Sequence, residues 1–237
     1  MSQKNDVYVF GVSVNNVSYD IILETITQFL KSSTYHHIVT LNPEILLKAY
    51  KSFQYKKILN DAALGVVDGI GLYIALWRRG KKLHTRITGV DLMHEVLKRV
   101  DDCSGKVFLA AHIDGLSSWT ETKNSLEVRY PHIIFSGNDI DPRDVNYNHI
   151  SVDVILCNFG APEQEIFLSK MQNTNAKIGI GVGGAFDFVT GVVPRAPRWM
   201  RTWGLEWLYR LYKQPRRFKR IYNAVIVFPL KALWNNK

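Results

Sequence analysis

The chain has 237 residues, 46% of them hydrophobic and 22% charged, which excludes a disordered or collagen-like chain and bounds it to one large or two small domains. Its two cysteines, Cys103 and Cys157, are too few for a disulfide scaffold and point to a reducing compartment. The formal net charge of +9 raises the question of a polyanionic partner, nucleic acid or membrane.

In chain order, Val7 to Val14 reads as one strand and Tyr19 to Leu30 as a helix capped by Ser18. A buried strand follows from His37 to Leu41, then a helix opened by Pro43 and continuing from Glu44 to Tyr50. Ala63 to Val67 is a strand ending at Asp68-Gly69, and Ile70 to Arg79 is a helix stopped by Gly80. Val90 to Val100 is an amphipathic helix, Lys106 to Ala111 a strand, and about Leu116 to Arg129 a helix. Strands at His132 to Phe135 and Val152 to Cys157 precede a helix from Pro162 to Met171 and a strand from Lys177 to Val182. Such alternation predicts an α/β, Rossmann-like fold: a mostly parallel sheet covered by helices on both faces, with ligands at the carboxyl ends of its strands.

After Gly191 the composition changes. Residues 195–237 hold 11 basic residues and one acid, Glu206, while the other 194 residues hold 19 basic and 20 acidic side chains. The expected division is therefore a near-neutral body, 1–194, and a basic helical C-terminal appendage, 195–237, without which the body folds. Trp199, Trp203 and Trp207 recur at i, i+4 and i+8, which places them on one helical face, and Pro215 marks a break between two helices. Basic and aromatic residues on short helices suit the headgroup region of an anionic membrane, whereas no stretch approaches the roughly 18 apolar residues of a bilayer span. With no secretory leader in the sequence, the expectation is a cytoplasmic, peripheral protein.

Three strand-end turns carry the candidate chemistry. Thr40-Leu41-Asn42-Pro43-Glu44 puts a hydroxyl and a carboxamide before a helix N-terminus, where free N–H groups favour anions. Asp68-Gly69-Ile70-Gly71 puts a carboxylate at the end of an apolar strand, the usual place for a catalytic group in this architecture. Asn158-Phe159-Gly160-Ala161-Pro162-Glu163-Gln164-Glu165 again joins a strand end to polar residues in a first helical turn. For Asn42 and Glu163, simple capping competes with function. Gly181-Val182-Gly183-Gly184-Ala185-Phe186-Asp187 follows a strand but is neither a dinucleotide fingerprint nor a Walker A loop. Asp139-Ile140-Asp141 resembles the metal-holding DxD of nucleotide-sugar enzymes, yet it sits in a polar, turn-rich stretch and reads as a solvated loop. No histidine or cysteine cluster has metal-ligand spacing, and no cofactor is expected.

Taken together, these motifs resemble the WecG/TagA/CpsF glycosyltransferase family. The matching residues include Thr40-x-Asn42-x-Glu44, Asp68-Gly69-x-Gly71, Arg86-x-x-Gly89-x-Asp91-Leu92, Gly160-x-Pro162-x-Gln164-Glu165, the Gly181 to Asp187 run, Arg195-Ala196-Pro197, and Gly204 to Leu211 with Pro215-x-Arg217-x-x-Arg220. The resemblance implies inverting, metal-independent transfer of a hexose-type sugar from a UDP-sugar to a polyprenyl-diphosphate-linked saccharide. Asp68 would be the general base, with Thr40, Asn42 and Arg86 beside it. Gly69, Gly71, Asn158, Gly160, Gln164, Glu165, Gly183, Gly184 and Asp187 would face the donor. Arg210, Arg217 and Arg220 would hold diphosphate at the inner face of the bacterial membrane, and self-association of the body is compatible with this. The chain departs from the pattern at Ala110-Ala111, where relatives often carry glycines.

The chemistry asks for such groups on its own account: a base opposite the leaving group, and N–H groups or arginines on the diphosphate. The competing reading is a nucleic-acid-binding protein using the basic, aromatic tail. The neutral body and the lack of a nucleic-acid-binding signature argue against it.

Overall fold

The computed structural model describes residues 6–69, 71–143, 150–213, 215 and 218–234, and for Asp6 and Arg210 the backbone alone. The chain opens with β1 (Asp6–Val9) and β2 (Val12–Asn15), an antiparallel hairpin, followed by α1 (Tyr19–Lys31). Then come β3 (His36–Leu41), α2 (Pro43–Lys51), α3 (Phe53–Asn60), β4 (Leu64–Val67), α4 (Gly71–Arg78) and α5 (Gly89–Asp101). The second half supplies β5 (Lys106–His112), α6 (Trp119–Glu127), β6 (Ile134–Ile140), β7 (Val154–Cys157), α7 (Glu163–Ser169), β8 (Ile178–Gly181) and α8 (Ala185–Val189). The appendage contains α9 (Arg198–Thr202), α10 (Glu206–Lys213), α11 (Phe218–Tyr222), a π-helical turn (Asn223–Val227) and α12 (Phe228–Trp234).

Six strands form one sheet in the order β4-β3-β8-β7-β5-β6, and every described pairing in it is parallel. All its carboxyl ends therefore lie along one edge, as the strand–helix alternation predicts. One face is covered by α1, α5, α6 and α8, whose Ile22, Ile26, Val96 and Phe186 are fully or almost fully buried. The other face is covered by α2, α3, α4 and the hairpin. A smaller cluster beneath α7 gathers Phe167, Leu168 and Met171.

Several elements differ from the sequence reading, each for a local reason. The run from Val7 to Val14 is a hairpin because Phe10 and Gly11 both take positive φ, 54° and 77°, the left-handed pair that matches strand twist in a two-residue turn. Helix α3 carries no marked apolar run; Ser52 starts it by accepting from the Tyr55 N–H. Helix α6 begins at Trp119, later than read, because Ser118 and Glu121 form a capping box. Strand β6 runs on to Ile140, so Asp139 lies in the sheet beside Ala111 and not in a loop. The tryptophans do not share a helical face: Gly204, at φ 71°, breaks the chain between α9 and α10.

The appendage is continuous with the core. Phe228 and Ala232 of α12 are fully buried among Phe10, Leu41, Ile45, Leu72 and Ala75. The Phe228 ring meets Phe10 edge-on at 5.5 Å between centroids. Removal of residues 195–237 would open that cluster to water.

Candidate active site

A cleft of about 590 Å³ lies at the carboxyl ends of β3, β4, β5, β7 and β8. Its outer wall is made by the appendage, through Gly204, Glu206, Trp207 and residues between Arg220 and Pro229. Residues from Gly204 to Pro229 thus close one side of a cleft whose other walls are the strand ends and turns of the body.

Asp68 follows the last residue of β4 and lines the cleft. Its Oδ2 accepts the Gly89 N–H at 3.3 Å, so it faces the partial positive charge at the start of the 13-residue α5. Gly89 itself fits against the backbone of Val182, which an added Cβ would approach at 3.3 Å. Thr40, at the end of β3, is buried and donates its hydroxyl to the Gly181 carbonyl at 3.0 Å, tying β3 to β8. Asn42 is the N-cap of α2, its Oδ1 accepting the Ile45 N–H at 3.1 Å. Capping is thus real, but Asn42 also lines the cleft. Arg86 lines it too, and its Nη2 donates to the Arg201 carbonyl in α9 at 2.6 Å.

Two glycine turns form the opposite side. Gly160 and Gly183 take φ 81° and 53°, and an added Cβ at either would meet nothing within 4 Å. Their glycines answer a backbone requirement and leave open space in the cleft. Gln164 joins the two turns: its Oε1 accepts from the N–H of both Gly160 and Gly183 at 3.1 Å. A Cβ on Gly181 would lie 2.4 Å from the Gln164 amide nitrogen, so that strand position is kept clear for it.

Glu165, expected to face the donor, lies behind the cleft and is absent from its lining. Fully buried, it accepts from Gln164 Nε2 at 2.6 Å and from the Tyr55 hydroxyl at 2.7 Å. Burial raises its pKa to about 7, although both hydrogen bonds and nearby Lys48 favour the charged form. Tyr55 is pushed up by burial and by the Glu165 charge. Gly71 is similarly structural: a Cβ there would collide with Pro43 at 2.6 Å and touch Phe228 at 3.5 Å, although the residue borders the cleft. Gly69 and Gly184 line the cleft, and Asn158 fixes the β5 end by accepting the His112 N–H at 2.7 Å. Asp187, almost buried, accepts from Ser117 at 3.1 Å and borders the cleft.

The arginines divide. Arg220, in the cleft wall, donates from Nε and Nη2 to one oxygen of Glu44, at 3.0 and 2.6 Å. Arg195 of the Arg195-Ala196-Pro197 motif binds Asp91 at 2.8 Å and Thr88 at 3.3 Å, locking the connector onto α5. Burial works against ionisation of Asp91, but the Thr88 hydroxyl and Arg195 outweigh it and lower its pKa. Arg210 is in α10, its side chain outside the described residues, and Arg217 lies outside them altogether.

The residues missed by sequence reasoning are Tyr55 and Thr88. Thr88 had a legible signal, an N-cap threonine three residues before an aspartate. Tyr55 had none, since its partner is 110 residues away. The Asp139-x-Asp141 pair is occupied structurally: Asp139 accepts the Trp119 N–H at 2.9 Å, and Arg143 holds Asp141 down at about 2. Among the described residues no group of three His, Cys, Asp or Glu is placed to hold a metal ion. Nor is any described helix long and apolar enough to cross a membrane.

The family model described as "Glycosyl transferase WecG/TagA/CpsF family" matches residues 7–237. Relatives include an "N-acetylglucosaminyldiphosphoundecaprenol N-acetyl-beta-D-mannosaminyltransferase" of Bacillus spizizenii, 32% identical over 205 residues, covering 82% of this chain and 78% of the relative. Proteins of the same name from Bacillus subtilis strain 168 and Staphylococcus aureus strain MRSA252 are each 30% identical, over 88% and 94% of this chain and 86% and 90% of their own lengths. Nothing in these likenesses supports the nucleic-acid reading of the basic segment.

Proposed function

Because this chain belongs to the WecG/TagA/CpsF family of glycosyltransferases, we propose that it moves N-acetylmannosamine from a UDP-sugar onto an N-acetylglucosaminyl-diphospho-polyprenol, with inversion. The sugar and acceptor follow the names of the relatives. The observation that carries the mechanism is the Asp68 carboxylate, in the cleft at the end of β4 and facing the N-terminus of α5.

In this reading Asp68 takes the proton from the acceptor hydroxyl as that oxygen attacks the anomeric carbon, and UDP leaves from the opposite face. The bond from the anomeric carbon to the diphosphate oxygen breaks as the new glycosidic bond forms. Charge developing on the diphosphate is met by Arg86, Arg220 and the N–H groups of the glycine turns, without a metal. By the resemblance in sequence, Arg210 and Arg217 would add further positive charge for the diphosphates, and the appendage would bring the cleft to an anionic membrane surface at the cytoplasmic face.

The test is transfer from UDP-N-acetylmannosamine to a short-chain N-acetylglucosaminyl-diphospho-prenol. Asp68→Asn should lower kcat by about 10²- to 10⁴-fold, the usual contribution of a general base, with UDP still bound. Transfer at the parental rate by a folded D68N protein would overturn the assignment.

A further inference from the structure

The division of charge at residue 195 conceals a second basic cluster in the body. Between Asp68 and Asp91 the sequence has no acidic residue and five basic ones, Arg78, Arg79, Lys81, Lys82 and Arg86. Four of them form the run Arg78-Arg79-Gly80-Lys81-Lys82 at the end of α4, and Lys81 and Lys82 are exposed. The run is held in place. Lys81 N–H bonds the Leu76 carbonyl at 3.0 Å, and Asn16 spans the turn, donating to the Lys82 carbonyl at 2.8 Å and accepting from the His84 N–H at 2.9 Å.

Helix α4 presents three faces. Leu72, Ala75 and Leu76 are buried, and Ile74 borders the cleft. Tyr73 and Trp77, one turn apart, are 48% and 67% exposed. The helix packs along α12, Leu72 and Ala75 sharing a cluster with Phe228 and Ala232. On α12 the outward residues are Leu230, Leu233 and Trp234, the last 84% exposed. Two adjoining helices, one from the body and one from the appendage, thus expose large apolar side chains beside a fixed basic run, and both border the cleft.

We propose that the exposed face of α4 and its basic run form, together with α12, the surface that lies on an anionic phospholipid bilayer. This deepens the reading above, in which the acceptor is anchored in a membrane. Exposed tryptophan and leucine among lysines and arginines match the interfacial region of a bilayer, apolar below and anionic above. A second copy of the chain is a poorer occupant, because it would bring like charges together. A nucleic acid would leave the apolar side chains unmatched. The body is thereby docked at two points, which orients the cleft to the membrane where an appendage alone would tether it.

The experiment is co-sedimentation of the full chain with vesicles of phosphatidylcholine, with and without phosphatidylglycerol. The triple variant Trp77→Ala, Lys81→Gln, Lys82→Gln changes only exposed side chains, and its fold is checked by circular dichroism. Its partition onto phosphatidylglycerol vesicles should fall by at least about tenfold, from the loss of two surface cations alone. Transfer to a water-soluble short-chain acceptor should stay at the parental rate. Undiminished partition of the folded variant would overturn the proposal. So would parental binding to duplex DNA tighter than to vesicles, or a parental dimer that the variant abolishes. Absence of transfer in the parent, with vesicle binding lost in the variant, would refute the function above and leave the docking face standing.

Discussion

Arg220 of α11 holds Glu44 of α2 by two hydrogen bonds onto a single carboxylate oxygen. The two residues are 176 positions apart, and the contact spans the cleft wall between body and appendage. Arg220 is 52% exposed, so the pair is worth only about 0.2–1 kcal/mol. A diphosphate offers a guanidinium more charge and a bidentate geometry. Binding of the anion should therefore take Arg220 from Glu44. Glu44→Gln is expected to tighten UDP binding by about two- to fivefold, the same pair energy expressed as affinity. Titration calorimetry on the folded variant decides this, and unchanged or weaker UDP binding would count against it.

Phe228 sits fully buried against Phe10, the residue that turns the β1–β2 hairpin at positive φ. A bulky side chain at such a φ costs on the order of 1–3 kcal/mol, which burial against Phe228 offsets. Phe228→Ala should remove about 3–5 kcal/mol of stability. The measurement is a denaturant melt. A loss below about 1 kcal/mol, no more than a typical surface change, would show α12 to be a loosely attached element.

The strand ends were legible because parallel topology alone decides where they go. Once the alternation of strand and helix is recognised, Thr40, Asp68, Asn158 and Gly183 must share one edge of the sheet. Glu165 was not, because its neighbour Gln164 borders the cleft and the sequence does not say which of two adjacent polar residues turns inward. The Trp199–Trp203–Trp207 spacing misled for a related reason. Periodicity assumes an unbroken helix, and Gly204 at φ 71° ends that continuity. Charge counting over whole segments averaged away the Arg78 to Lys82 run, since acids elsewhere in the body cancel it.

Glu165 gives a pH signature. Its pKa is about 7 in the folded chain against 4.5 for the free side chain, with burial the largest cause. Between those values the folded state binds a proton that the unfolded state lacks, so this group's contribution to stability falls as pH rises from 4.5 to about 7. Glu165→Gln has no such titration. The stability difference between parent and E165Q should therefore shift toward the variant as pH rises from 5 to 8, in denaturant melts at matched salt. A pH-independent difference would remove Glu165 as a buried titrating group. Its link to Gln164 adds a kinetic expectation: a loosened amide should raise the donor KM more than it lowers kcat.

Gly183 allows strain and occupancy to be separated. Its φ of 53° is left-handed, and the direction of a Cβ is open within 4 Å. Alanine there carries a backbone penalty of about 1–2 kcal/mol and only a methyl in the cleft. Asparagine tolerates the left-handed region better but extends a carboxamide into the donor's space. If the glycine serves the backbone alone, G183A should be the less stable and less active of the two. If the donor lies against this turn, G183N should keep more stability than G183A and yet show the larger rise in donor KM. Thermal melts alongside donor KM measurements on the two variants distinguish these outcomes, and equal KM values in both would place the donor elsewhere in the cleft.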